Sequence, residues 1–193
     1  MKFLLKGSRD YIHGTDIFIY LENKLKNLKF TKFELIFKQF IKNQPKIKMF
    51  YKTKKTTLLN LKQYYALCEI ILKKKKLFYV FEKSREKINS NYSYDENLFI
   101  KYYNLKKNGM SCSFETSFKD IEILVSMTKY FHQKKIKKKC KWIFNKIELI
   151  KKFKNFYKKD LEIKIISNKY NKYTISQIFQ NKKNIGKIYF SSK

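Results

Sequence analysis

The sequence predicts an α+β chain made of two consecutive halves, each a helix followed by a run of antiparallel strands. Three observations predict it. Apolar residues recur at spacings of three and four twice, over 15–28 and over 117–135. After each stretch the apolar residues fall mostly into a period of two. Between the halves, residues 84–96, SREKINSNYSYDE, are poor in aliphatic side chains and rich in Ser, Asn and charge, which makes them a linker between 1–83 and 97–193.

The first helix is read from Ile17, Leu21, Leu25 and Leu28, which share one side with Lys24, flanked by Phe18 and Tyr20. Gly14 supplies the preceding turn, and Thr15 or Asp16 the oxygen that caps the first N–H groups. Phe33, Leu35 and Phe37 then alternate with Lys32, Glu34 and Lys38 as a strand with one buried face, broken by the Asn-Gln-Pro at 43–45. Strands follow at 67–72 and 76–83, separated by the lysine run 73–76, a turn or sheet edge.

In the second half a strand is expected over 97–105, a turn at KKNG and a strand around MSCSFE. The helix over 117–135 has Ser117 and Asp120 in a capping-box spacing. Phe118, Ile121, Leu124, Val125, Thr128 and His132 line one face, with Glu122 at its border. After the basic run 134–141, residues 142–156 fit a helix or a strand. The segments 160–167, 171–180 and 183–192 read as a meander joined by Asn- and Lys-rich turns.

At 193 residues with 44% apolar content the chain can bury a core. Its formal charge of +31 points to an anionic partner. Only two of the 46 basic residues, Arg9 and Arg85, are arginines, and Ala66 and Pro45 are the only ones of their kind. Lys, Asn, Ile, Phe and Tyr are the residues of A- and T-rich codons, so genome composition accounts for part of the charge. Arginine is the preferred residue for bidentate phosphate and base contacts, and its scarcity weakens a nucleic-acid reading. Cys68, Cys112 and Cys140 show no CxxC spacing, so neither a metal site nor a disulfide framework is expected. No run reaches the ~18 apolar residues of a membrane span, and MKFLLKG is too short for a signal peptide core, so a soluble cytoplasmic protein is expected.

One helix wrapped by a curved antiparallel sheet, twice in tandem, resembles the hotdog fold in its double form. Within that pattern DIEILVSMTK (120–129) is similar to the central helix of β-hydroxyacyl-ACP dehydratases, and KYTISQIFQNKKNIGKIYFS (172–191) to the final hairpin of hotdog enzymes. The resemblance implies a dehydratase or thioesterase relative acting on an acyl thioester of acyl carrier protein or coenzyme A, with no metal or redox cofactor. Glu122 then matches the family's catalytic acid, but the histidine expected fourteen residues earlier is Asn108. His13 is the remaining candidate base, in a site shared between the halves. Asp16 could activate a water as acidic residues do in hotdog thioesterases, and Gly14, Thr15 and His132 are candidate substrate contacts. The lysine runs would meet the acidic recognition helix of a carrier protein. They would equally hold RNA phosphates, so a basic RNA-binding or ribosome-associated protein is the alternative, and a hotdog protein that has lost catalysis is a third.

Overall fold

In the computed structural model, which describes residues 2–52, 64–73, 75–136 and 140–193, the first helix, α1, spans Gly14–Lys24. It belongs to the first of two units, Met1–Tyr94 and Asp95–Lys193. The other elements of this unit are β1 (Leu5–Lys6), β2 (Lys32–Phe37), β3 (Lys46–Lys52), β4 (Tyr64–Ile71), β5 (Lys76–Glu82) and β6 (Asn91–Tyr92).

Helix α1 stops short of the expected Leu28. The Leu25 N–H still reaches back four residues to Leu21, but Lys26 and Leu28 reach back only three, to Asn23 and Leu25, in tight turns. Gly14 is the first helical residue and not a turn before it. The N-cap is His13, whose side chain makes no cap hydrogen bond, and Thr15 and Asp16 lie inside the first turn and not at the cap position. The sheet of this unit runs β3-β5-β4-β2, antiparallel throughout. Its register pairs Phe33 with Ile70 and Leu35 with Cys68, all buried, while Glu34 and Glu69 fall on the opposite face. Helix α1 covers the apolar face by setting Phe18 edge-on to Phe33, centroids 5.4 Å apart, and Tyr20 against Phe81 at 6.2 Å. The segment expected as a linker contributes β6, which pairs in parallel with β1. In the lysine run 73–76, of which Lys74 lies outside the described residues, Leu72 N–H bonds to the Lys75 carbonyl in a turn.

The second unit contains a 3₁₀ helix (Glu96–Tyr102), β7 (Tyr103–Lys106), β8 (Gly109–Glu115), α2 (Asp120–Lys135), β9 (Trp142–Leu149), β10 (Lys158–Lys169), β11 (Tyr173–Gln180) and β12 (Lys183–Ser192). Most of the strand expected over 97–105 is thus helical. Asp95 accepts the Asn97 N–H as an N-cap, and Phe99 is buried from the turn this starts. The sheet order is β9-β12-β11-β10-β8-β7, all antiparallel.

The ambiguity over 142–156 has a structural cause. In β9 the buried residues are Trp142, Phe144, Ile147 and Leu149, and the register slips between Tyr189 and Phe190 of the partner strand. Asn145 is the extra residue of a bulge, and the resulting three-residue step imitates helical spacing. Helix α2 begins three residues later than expected. Its end overlaps the basic run 134–141, of which 137–139 lie outside the described residues. From Asp120 to Thr128 every residue of α2 is buried. One side lies on the sheet, while the 3₁₀ helix covers another through Ser126 Oγ to the Glu96 carbonyl at 3.0 Å and the Lys129–Glu96 ion pair at 3.1 Å. Among the described residues no helix is long and apolar enough to cross a membrane.

Candidate functional site

Strand alternation decides which side chains meet α2. On β10 the buried phase is Lys159, Leu161 and Ile163; on β11 it is Thr174, Ser176, Ile178 and Gln180. Four of these seven are polar, and two converge on Asp120, the first residue of α2. Gln180 Nε2 donates to Asp120 Oδ2 at 2.6 Å. Lys159 Nζ lies 2.8 Å from Oδ1, an ion pair approached off the line of a directed hydrogen bond. At the other end of the helix, His132 Nε2 and Thr174 Oγ1 share a hydrogen bond of 2.9 Å. Asp120 and His132 are ~18 Å apart along a helix, and Gln180 and Thr174 ~20 Å along a strand. Helix α2 therefore runs antiparallel along β11 with a polar pair at each end.

The β9–β10 connection, residues 150–157, closes over the Asp120 end. Asn155 Oδ1 accepts the Asp120 N–H at 3.2 Å, and Gln180 Oε1 accepts the Lys154 N–H at 3.1 Å. Asn155 holds a left-handed φ of 40° to make this contact, and Phe153 of the same connection is buried. Asp120 is 0% exposed and Lys159 3%. An isolated carboxylate at such depth would be strongly disfavoured, and the ammonium and amide compensate it. Cys112 faces the same region from β8. Burial first of all, with Asp120 and Asp160 adding to it, pushes its thiol up to about 12, so it remains protonated and is no nucleophile at neutral pH.

The residues singled out in the sequence occupy three settings. Glu122 Oε2 accepts the Lys119 N–H at 3.1 Å. This is the acidic half of a capping box, and it falls on Lys119 and Glu122 and not on Ser117 and Asp120. His132 lies between Trp142, with ring centroids 4.0 Å apart, and Phe190 at 5.5 Å, and burial pushes its imidazole down to about 3. In the first unit, His13 Nδ1 is 2.7 Å from Thr15 Oγ1, which also takes a hydrogen bond from Lys6 Nζ at 3.1 Å. Asp16 Oδ1 receives Lys6 at 3.4 Å and the Tyr92 hydroxyl at 2.9 Å. Lys6, fully buried, also sits over the Tyr94 ring at 4.0 Å. The structure thus brings His13, Thr15 and Asp16 together, with Gly14 between them in sequence. Glu122 and His132 lie ten residues apart on α2, each with its own partners.

Among the described residues, each unit buries one lysine against an aspartate in the first turn of its helix. Sequence reasoning missed the second set, Asp120, Lys159 and Gln180, because it took Asp120 as a capping residue. The available signal was phase: Lys159 shares its two-residue phase with Leu161 and Ile163, and Gln180 with Ile178. Among the described residues no group of three or more His, Cys, Asp or Glu could hold a metal ion.

No protein-family model matches the sequence, and no curated protein does. Among solved structures, an acyl-CoA thioesterase II from Mycobacterium marinum aligns with a TM-score of 0.39 and 6% identity, covering 86% of this chain and 81% of that one. The tesB protein of Mycobacterium avium subspecies paratuberculosis aligns with a TM-score of 0.50 and 7% identity, covering 99% of this chain and 91% of that one. At that identity the likeness is one of fold alone: the chain shares its backbone architecture with the tesB protein.

Proposed function

We propose that the two units form a double hotdog that hydrolyses acyl thioesters carried by coenzyme A or acyl carrier protein, with Asp120 as the general base. The observation that carries this reading is the buried Asp120 carboxylate at the head of α2, oriented by Gln180 at 2.6 Å. Resemblance to hotdog acyl thioesterases, from the sequence pattern and from the fold shared with a tesB protein, supports it.

In this reading Asp120 takes a proton from water as the oxygen attacks the thioester carbonyl. The tetrahedral intermediate then expels the thiolate, to which Asp120 returns the proton, leaving a carboxylic acid and a thiol. Gln180 is a positioning residue: its amide donates to one carboxylate oxygen and its own carbonyl is held by the Lys154 N–H. Substrate enters as the connection 150–157 swings away, which frees the Gln180 carbonyl and the Asp120 N–H. Hydrolysis is favoured over dehydration. A dehydratase needs an acid and a base on one substrate, whereas in this unit His132 stands at the far end of α2 and Glu122 closes the helix cap. The cluster of His13, Thr15 and Asp16 organises the start of α1 in this reading, and the lysine surface draws in an acidic carrier.

The test is thiol release from a panel of acyl-CoA and acyl-ACP substrates. Wild type is expected to turn over at least one, and Asp120→Asn to lose ~10³-fold or more of kcat, since it keeps the shape but not the base. Tight, salt-sensitive RNA binding without thioester turnover would overturn the reading.

A further inference from the structure

We propose that Lys159 is a catalytic residue, the cation that receives the negative charge developing on the thioester carbonyl oxygen. This deepens the thioesterase reading above and rests on it.

Lys159 sits in a phase of β10 that is otherwise apolar. The other buried positions of that strand's face are Leu161 and Ile163, and Lys159 is itself only 3% exposed. A lysine loses several kcal/mol of hydration at such a depth, and replacing a buried ion pair by apolar residues of similar size is commonly neutral or stabilising. Stability alone therefore gives no reason for a charge pair where the strand pattern calls for an aliphatic residue. Reaction chemistry does give one.

As Asp120 accepts the proton of the attacking water, its charge disappears and an equal charge appears on the carbonyl oxygen. Without a fixed cation, that transfer would place a bare oxyanion in a low-dielectric interior, where unpaired charge is most costly. Lys159 Nζ, 2.8 Å from Asp120 Oδ1, stands where the base must meet the water and substrate. One ammonium can then pair with the carboxylate before the transfer and with the oxyanion after it, so the net charge of the enclosed site stays constant through the step. Its approach to Oδ1, off the direction of a strong hydrogen bond, leaves the carboxylate lone pair open to the water's proton. When the intermediate collapses, the electron pair returns to the carbonyl, the carbon–sulfur bond breaks, and the departing thiolate regains the proton from Asp120. No other co-reactant enters.

The experiment compares Lys159→Gln, Lys159→Met and Lys159→Arg with wild type and with Asp120→Asn, in kcat and KM on the best thioester found. The folded fraction of each variant is read from Trp142 emission and circular dichroism. Lys159→Met leaves Asp120 uncompensated and can fail to fold; Lys159→Gln keeps a donor to Asp120 while removing the charge, so the proposal does not depend on the methionine variant. Loss of an oxyanion-stabilising group predicts a ~10²–10³-fold fall in kcat for Lys159→Gln with KM within about threefold, and retention within about tenfold for Lys159→Arg. A structural role alone would lower the folded fraction and leave kcat per folded molecule unchanged. If Lys159→Gln keeps wild-type kcat while Asp120→Asn is inactive, the role of Lys159 is wrong and the thioesterase reading stands. If wild type releases no thiol from any substrate, the reading fails and the role of Lys159 falls with it.

Discussion

Acidification is expected to loosen the His132 end of α2. In the folded chain His132 is fully buried, with Trp142, Phe190 and Phe131 around its ring and Thr174 on Nε2. None of these partners is a carboxylate, and Nδ1 has no hydrogen-bond partner among the described residues. A proton on the ring would be an uncompensated buried charge, which is why burial pushes the imidazole from 6.5 down to about 3. The unfolded chain binds that proton first as pH falls. Stability from this group is therefore complete above about pH 6.5 and drains away as pH drops toward about 3. The slope is ~1.4 kcal/mol per pH unit, so lowering the pH from 6.5 to 5 removes ~2 kcal/mol, a sizeable share of the ~5–15 kcal/mol of a typical domain.

The assay is urea unfolding at a series of pH values, followed by the emission of Trp142, the only tryptophan in the chain and a direct neighbour of His132. Wild type is compared with His132→Gln, which can still bond to Thr174 but does not titrate. Subtracting the two curves removes His13 and the carboxylates. A difference that grows by ~1.4 kcal/mol per pH unit below 6.5 is expected. Parallel curves between pH 7 and 5 would refute the argument, because they would mean the ring is as easily protonated in the fold as out of it.

Two further outcomes follow from the geometry of the second unit. Gly109→Ala would place a methyl carbon 2.1 Å from the Ile163 carbonyl oxygen on the adjacent strand, which cannot yield without parting β8 from β10. A loss of ~1–3 kcal/mol is expected, read as a fall of several degrees in Tm, and an unchanged Tm would show that the strands are not so closely apposed. Amide exchange should be much faster over residues 151–156 than at Ser176 and Ile178 of β11, since the connection is held by a few side-chain contacts and the strand by two neighbours. Equal protection would mean that the connection opens only on global unfolding and that substrate needs another route to Asp120.

The sequence by itself determined the element types wherever a strong period ran uninterrupted. Leu161, Ile163, Ile178 and Ile188 had to share buried sheet faces because alternation leaves them no other side, and the stripe from Ile121 to His132 had to lie on a helix. It lost its hold where a non-periodic feature intervened. The bulge at Asn145 shifted the phase of β9, and the Asp95 cap turned an expected strand into a 3₁₀ helix.

The candidate site was legible only in part. His13, Thr15 and Asp16 are neighbours in sequence, and local chemistry sufficed to group them. Asp120, Lys159 and Gln180 are separated by 39 and 21 residues, so only tertiary structure, by laying α2 antiparallel along β11 and beside β10, could bring Lys159 and Gln180 within 3 Å of the Asp120 carboxylate. A one-dimensional pattern records which residues face inward. Which inward-facing polar residues meet depends on strand order and helix direction, and those are set by long-range packing.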